Sequence, residues 1–127
     1  MGIRVVWDNP EKTTLRQVFS GRWELDDLYQ CADKTHRLIS SLEHPVHVIM
    51  DLTDSQAPTN MLSAVRYLES RVAPNQGIVV MVGADDFMAS MLEVARRIAP
   101  RATANGHWAD NLEDARRVIS ENDYVLA

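Results

Sequence analysis

The sequence predicts an α/β fold built on a five-stranded, mixed but mostly parallel sheet, and three observations carry that prediction. Two nearly continuous apolar runs, Val46 to Leu52 and Ile78 to Val82, read as strands covered on both faces. Between and after them, apolar residues recur at the spacing of amphipathic helices. Two short segments at the start, rich in β-branched and aromatic residues, read as a hairpin.

Ile3 to Trp7 and Thr14 to Phe19 are the hairpin strands, joined through Asp8-Asn9-Pro10-Glu11-Lys12, which is turn chemistry. Gly21 breaks the chain. From Glu24, the residues Leu25, Leu28, Tyr29, Ala32, Ile39 and Leu42 form a helical stripe that should end near His44-Pro45, because proline cannot continue a helix. The central strand Val46 to Leu52 follows, and Thr53 to Pro58 reads as a polar loop. Thr59 or Asn60 can cap a second helix carrying Met61, Ala64, Val65, Leu68 and Val72.

Ala73 to Gly77 ends that helix, Ile78 to Val82 is the most apolar strand, and Gly83 closes it. Asp85-Asp86 suits the start of a third helix with Met88, Met91, Leu92, Ala95 and Ile98 on one face and Pro100 at its end. Thr103 to Trp108, interrupted by Asn105-Gly106, fits only an edge strand. Asp110 to Glu113 has the spacing of a capping box, and Leu112, Ala115, Val118 and Ile119 supply the stripe of a last helix. The expected order is β-β-α-β-α-β-α-β-α, with four helices, in one domain over residues 1–127. Strands joined through helices run parallel, and only the first strand is antiparallel.

Composition narrows the function. At 127 residues, 46% hydrophobic and 24% charged, the chain is an ordinary globular length and mixture. Thirteen basic against 18 acidic residues give a formal charge of -5, which supplies no electrostatic footprint for nucleic acid or anionic lipid. No apolar run approaches a membrane span and no signal segment opens the chain, so a cytoplasmic location is expected. The single cysteine, Cys31, fits a reducing compartment.

The chemistry-bearing residues form no catalytic pattern. Cys31 has no basic neighbour to lower its pKa and no histidine at a signature spacing, so it reads as a structural thiol. His36, His44, His47 and His107 are scattered, without the ligand pattern a metal needs. Asp51, Asp54, Asp85 and Asp86 invite comparison with phospho-receiver domains, but no acidic pair follows the first strand and no lysine follows the fifth. The isolated glycines build no phosphate loop, so neither nucleotide nor other cofactor is expected. Met61, Met88 and Met91 fall at core spacing, and Trp7, Trp23 and Trp108 read as packing residues at element ends.

Over essentially the whole chain this order resembles the STAS domain, the fold of bacterial anti-sigma factor antagonists and of sulfate-transporter cytoplasmic domains. The residues that carry the likeness are Gly21 before Trp23-Glu24-Leu25, the strands Val48 to Thr53 and Val79 to Gly83, and the closing Trp108 to Ala115. In the antagonists, a serine at the start of the second helix is phosphorylated within an Asp-Ser-Ser-Gly pattern. The corresponding stretch here, Ala57-Pro58-Thr59-Asn60-Met61-Leu62-Ser63, lacks that pattern, and Thr59 is the hydroxyl best placed to accept a phosphate.

The resemblance implies a non-catalytic regulatory module that binds a protein partner, such as an anti-sigma-type kinase. Asp54, Ser55, Thr59, Asn60, Ser63, Arg66 and Tyr67 would be the contact residues. An open first-strand edge leaves room for a homodimer. A domain holding a small molecule or lipid between sheet and helices, near the tryptophans, is the alternative.

Overall fold

The first turn is organised by Asn9, whose Oδ1 accepts the backbone N–H of Thr13 at 3.0 Å and of Thr14 at 3.3 Å. That folds β1 (Ile3–Trp7) antiparallel onto β2 (Thr14–Arg22), with Trp7 opposite Leu15. The computed structural model describes residues 2–122. After β2 come α1 (Leu25–Ser40), β3 (Val46–Gln56), a 3₁₀ turn (Met61–Ala64), α2 (Val65–Ser70) and β4 (Gln76–Val82). The described chain closes with α3 (Asp86–Ile98), α4 (Pro100–Thr103), β5 (Gly106–Ala109) and α5 (Leu112–Asn122).

The strands lie side by side in chain order, β1-β2-β3-β4-β5, with β2 through β5 mutually parallel. The expected five-stranded mixed sheet is therefore what the chain forms. Because each crossover steps to the next strand in the same direction, right-handed connections put their helices on one face. On that face Phe19, Leu52 and Met81 pack with Trp23, Leu28, Met61, Ala64, Met88 and Leu92, while Leu15, Val48 and Val79 pack with Ile39. On the other face Ile49, Ile78, Val80 and Val82 are covered by Ala115 and Ile119 of α5.

Local chemistry explains most boundaries. Asp27 accepts the N–H of Glu24 at the head of α1, and Asp85 accepts the N–H of Met88 at the head of α3. The helix α1 stops at Ser40, short of the expected His44. There, Asn75 Nδ2 lies within 2.8 to 3.0 Å of the carbonyls of Ile39, Leu42 and His44, and its two hydrogens are shared among the three.

Several expectations need correction. β2 runs through Gly21, and β3 continues through Thr53 to Gln56, where a loop was expected, because Ser20, Gly21 and Arg22 pair with Asp54, Ser55 and Gln56. Backbone pairing needs no apolar side chains, so a polar strand extension leaves little trace in sequence. The second helix breaks into a 3₁₀ turn and a six-residue helix that ends before Val72. Pro100 ends α3 and opens the short α4, giving five α-helices among the described residues rather than four. Thr103 closes α4, and the fifth strand begins only at Gly106. The last cap is Asn111, which accepts the N–H of Asp114 at 2.8 Å, one residue later than the expected box.

Gly83 is the one turn position where glycine is required on two grounds. Its φ is +70°, and a Cβ there would sit 2.8 Å from the Thr53 Cα.

A candidate functional site among the methionines

The residues named from sequence as partner contacts fall into two groups. Asp54, Thr59, Asn60, Ser63 and Arg66 are exposed around the end of β3 and the 3₁₀ turn, with Ser55 half-buried among them. Ser55 Oγ donates to the Leu52 carbonyl at 3.2 Å, and Ser63 Oγ donates to the Asn60 carbonyl at 2.7 Å. The Asn60 side chain makes no capping bond.

Tyr67 behaves differently. Its hydroxyl donates to Asp33 of α1, its ring meets Tyr29 edge-on at 4.9 Å, and Arg71 Nε donates to its oxygen at 3.2 Å. Arg71 also pairs with Asp33 at 3.0 Å. These contacts fasten α2 to α1, so Tyr67 is a packing residue rather than a free contact. The loop from Ala57 to Asn60 and the chain from Arg22 to Asp26 line an open groove of about 760 Å³.

The three tryptophans do not gather into one pocket. Trp23 is buried against Phe19, Trp7 lies at the opposite end of the hairpin on an edge strand, and Trp108 is exposed on the other edge strand.

Cys31 is buried, and loss of hydration pushes its thiol up to about 11, against a smaller opposing effect from a Thr35 hydrogen bond and the Lys34 charge. It therefore stays protonated at neutral pH and is a poor nucleophile. Among the described residues no group of three or more His, Cys, Asp or Glu side chains is placed to hold a metal ion. No described helix is long and apolar enough to cross a membrane.

The feature that sequence did not reveal lies between the sheet and the helices. Strand pairing sets Gln17, Met50, Met81 and Trp108 in one row across β2 to β5, and Leu15, Val48, Val79 and Gly106 in a row near it. Above Val79 and Met81, α3 and α4 present Ala95, Ala99 and Ala102, side chains too short to reach the sheet. Gly106 supplies no side chain from below. The result is an apolar pocket of about 100 Å³, partly open to solvent, whose lining is completed by Leu62, Val65, Leu68, Met88, Met91 and Leu92.

Met50, Met61, Met81, Met88 and Met91 all line it, which is every methionine of the chain except the first. No family model matches the sequence, and no curated protein is significantly similar to it. The cavity has to be read from its own chemistry.

Protein interiors are packed as tightly as organic crystals. A sealed apolar void of this volume would cost about 2 kcal/mol at roughly 24 cal/mol per Å³, and partial access to solvent makes the cost of this pocket smaller. Methionine is unbranched and flexible, so a methionine lining can reshape around an occupant where branched residues would resist. The cavity also comes close to solvent. Leu62 forms part of its wall and is itself 36% exposed. Phe87, Val94 and Ile98 are exposed on α3 at spacings that align them with Met91, which does line the cavity. Ile98 was expected to face the core, but it lies on this outer shoulder, where nothing among the described residues covers it fully.

Proposed function

We propose that this chain is a non-catalytic binding domain that takes a small apolar molecule between its sheet and helices α2 and α3. The observation that carries the reading is the convergence of five methionines, from four separate elements, on one apolar cavity. Such a lining suits adaptable binding, and a void of that size favours being filled. The STAS-like element order supports a binding role over a catalytic one, and the protonated, buried Cys31 agrees. The reduced thiol also suits a cytoplasmic setting.

Xenon is a suitable probe, because it enters apolar cavities and is smaller than benzene, which takes about 150 Å³ where this pocket offers about 100 Å³. With the methionine methyls labelled with ¹³C, saturating xenon is expected to shift the signals of Met50, Met61, Met81, Met88 and Met91 and leave Met1 in place. The unfolding midpoint should rise by about 4 °C at tenfold excess over the dissociation constant. Ala95→Leu, which grows into the cavity, should raise the midpoint without ligand and abolish the methyl shifts. Unmoved methionine signals at saturation would overturn the reading.

The protein-partner reading keeps one favourable observation. Leu62 and Arg66 are exposed one turn apart beside Ser63, and the α3 shoulder adds exposed Phe87 and Val94. Contiguous exposed apolar surface of this kind marks interaction sites. Under this reading the exposed Thr59 hydroxyl stands where a partner kinase could reach it. Arg66→Glu should then lose a specific protein that the wild type retains from a lysate. Identical captures by the two forms would count against it.

A further inference from the structure

A second cavity of about 110 Å³ adjoins the methionine cavity beneath α1 and α2. The two share Met50, Leu68, Val79 and Ala102 as lining residues. The second compartment is chemically different. Its lining includes Gln17, Cys31, Thr35 and Gln76, where the first has Thr103 as its one polar side chain.

Gln17 is the residue that has no reason to be there on packing grounds alone. It sits in the core-facing row of β2 between Leu15 and Phe19 and is only 8% exposed. A glutamine amide can make four hydrogen bonds. Among the described residues its side chain makes one, from Nε2 to Thr35 Oγ1 at 2.9 Å. A buried amide with spare hydrogen-bonding capacity, facing a compartment beside an apolar cavity, is the arrangement that fixes one polar end of a bound molecule.

We propose that the two cavities act as one slot for a single-chain amphiphile, with its aliphatic part among the methionines and an uncharged hydroxyl or amide end beside Gln17 and Thr35. This rests on the apolar-ligand reading above and assigns the ligand's class. The two compartments together hold about eight non-hydrogen atoms, by the scale on which about 150 Å³ accepts benzene.

The end is uncharged because the slot has no free charge to receive one. Arg71 is its only charged lining residue, and Asp33, Tyr67 and the Tyr67 ring already engage that guanidinium. A carboxylate would have to enter without a partner, which is far costlier than burying a hydroxyl.

The test compares 1-heptanol with heptanoate at neutral pH, each followed by the ¹³C-methionine methyls and by the ¹⁵N signal of the Gln17 side-chain amide. Heptanol is expected to shift both sets of signals and to bind more than about tenfold tighter than heptanoate. Gln17→Leu should weaken heptanol about fivefold, the value of one lost hydrogen bond, and leave xenon binding unchanged. Two results overturn the slot while leaving the apolar cavity intact. One is heptanoate binding as tightly as heptanol; the other is heptanol moving the methionine methyls without touching the Gln17 amide. Methionine signals that respond to neither xenon nor heptanol overturn both readings together.

Discussion

Trp23→Ala is expected to lower the unfolding free energy by about 3–5 kcal/mol, the range for deleting a large aromatic side chain from a packed core. Trp23 is 1% exposed and stands edge-on to Phe19 with ring centroids 5.1 Å apart. It belongs to the same cluster as Met61, Met81, Met88 and Leu92. Even the backbone closes on it, since a Cβ on Gly2 would come 2.6 Å from the Trp23 Cβ. The flexible methionines of the cluster can relax partly into the space the indole leaves, so their response sets where in the range the cost falls.

The conservative change separates burial from hydrogen bonding. The indole N–H of Trp23 is buried without a hydrogen-bond partner among the described residues. Such a donor costs about 1–3 kcal/mol, so Trp23→Phe removes a penalty together with some contact area and should cost much less than the alanine variant. Urea titrations of both variants, monitored by circular dichroism, measure the difference. A loss under about 1 kcal/mol for Trp23→Ala would mean that this end of the core is looser than the packing indicates. The alanine variant should also enlarge the space next to the methionines, and that links the stability of the core to the volume available for a ligand.

The architecture was largely legible in the sequence, for a physical reason. Val46 to Leu52 and Ile78 to Val82 are covered on both faces, so their composition alone marks them as central strands. The helices α1, α3 and α5 each bury one face, and periodicity finds that face. What periodicity cannot report is how far each side chain reaches. Met61, Met88 and Met91 were placed correctly on inward-facing stripes, yet the space between them depends on Ala95, Ala99, Ala102 and Gly106, residues on other turns and another strand. A void is a property of several elements at once.

The same holds for the Gln17, Met50, Met81 and Trp108 row, which exists only once three strand registers are set. The sequence carries one signal of the pocket. Met50 and Met81 occupy strands otherwise dominated by β-branched residues, and as cross-strand partners they form the floor of the cavity. Tyr67 shows a different limit. An aromatic hydroxyl on a short helix looks available to a partner, and only the tertiary contact with Asp33 and Tyr29 shows that it is spoken for.

Asp8→Asn is expected to cost about 2–3 kcal/mol, and its effect should vanish in acid. Asp8 follows β1 and accepts two hydrogen bonds from Arg116 of α5, at 3.0 and 2.8 Å. Arg16 of β2 approaches the same carboxylate at 3.5 Å. The carboxylate is 6% exposed and Arg116 is 52% exposed, so one partner is desolvated and the other is not. That places the loss below the 3–5 kcal/mol typical when a fully buried pair is broken, and above the value of a surface pair. The asparagine would leave two guanidinium groups facing one another without a counter-charge.

The bidentate Arg116 contact, opposed by burial and helped by the Arg16 charge, holds the Asp8 carboxyl below its ordinary value. The group is ionised at lower pH in the folded chain than in the unfolded one. Its stabilisation is therefore complete above the unfolded value of about 3.9 and is lost as pH falls through the lower folded value. Denaturation of wild type and Asp8→Asn should differ by a constant amount at neutral pH and converge below about pH 4. A gap that opened instead between pH 6 and pH 8 would assign the effect to some other group. Because this contact joins the opening hairpin to the last described helix, its loss should also loosen the sheet edge, and faster amide exchange in β1 would register that in the same variant.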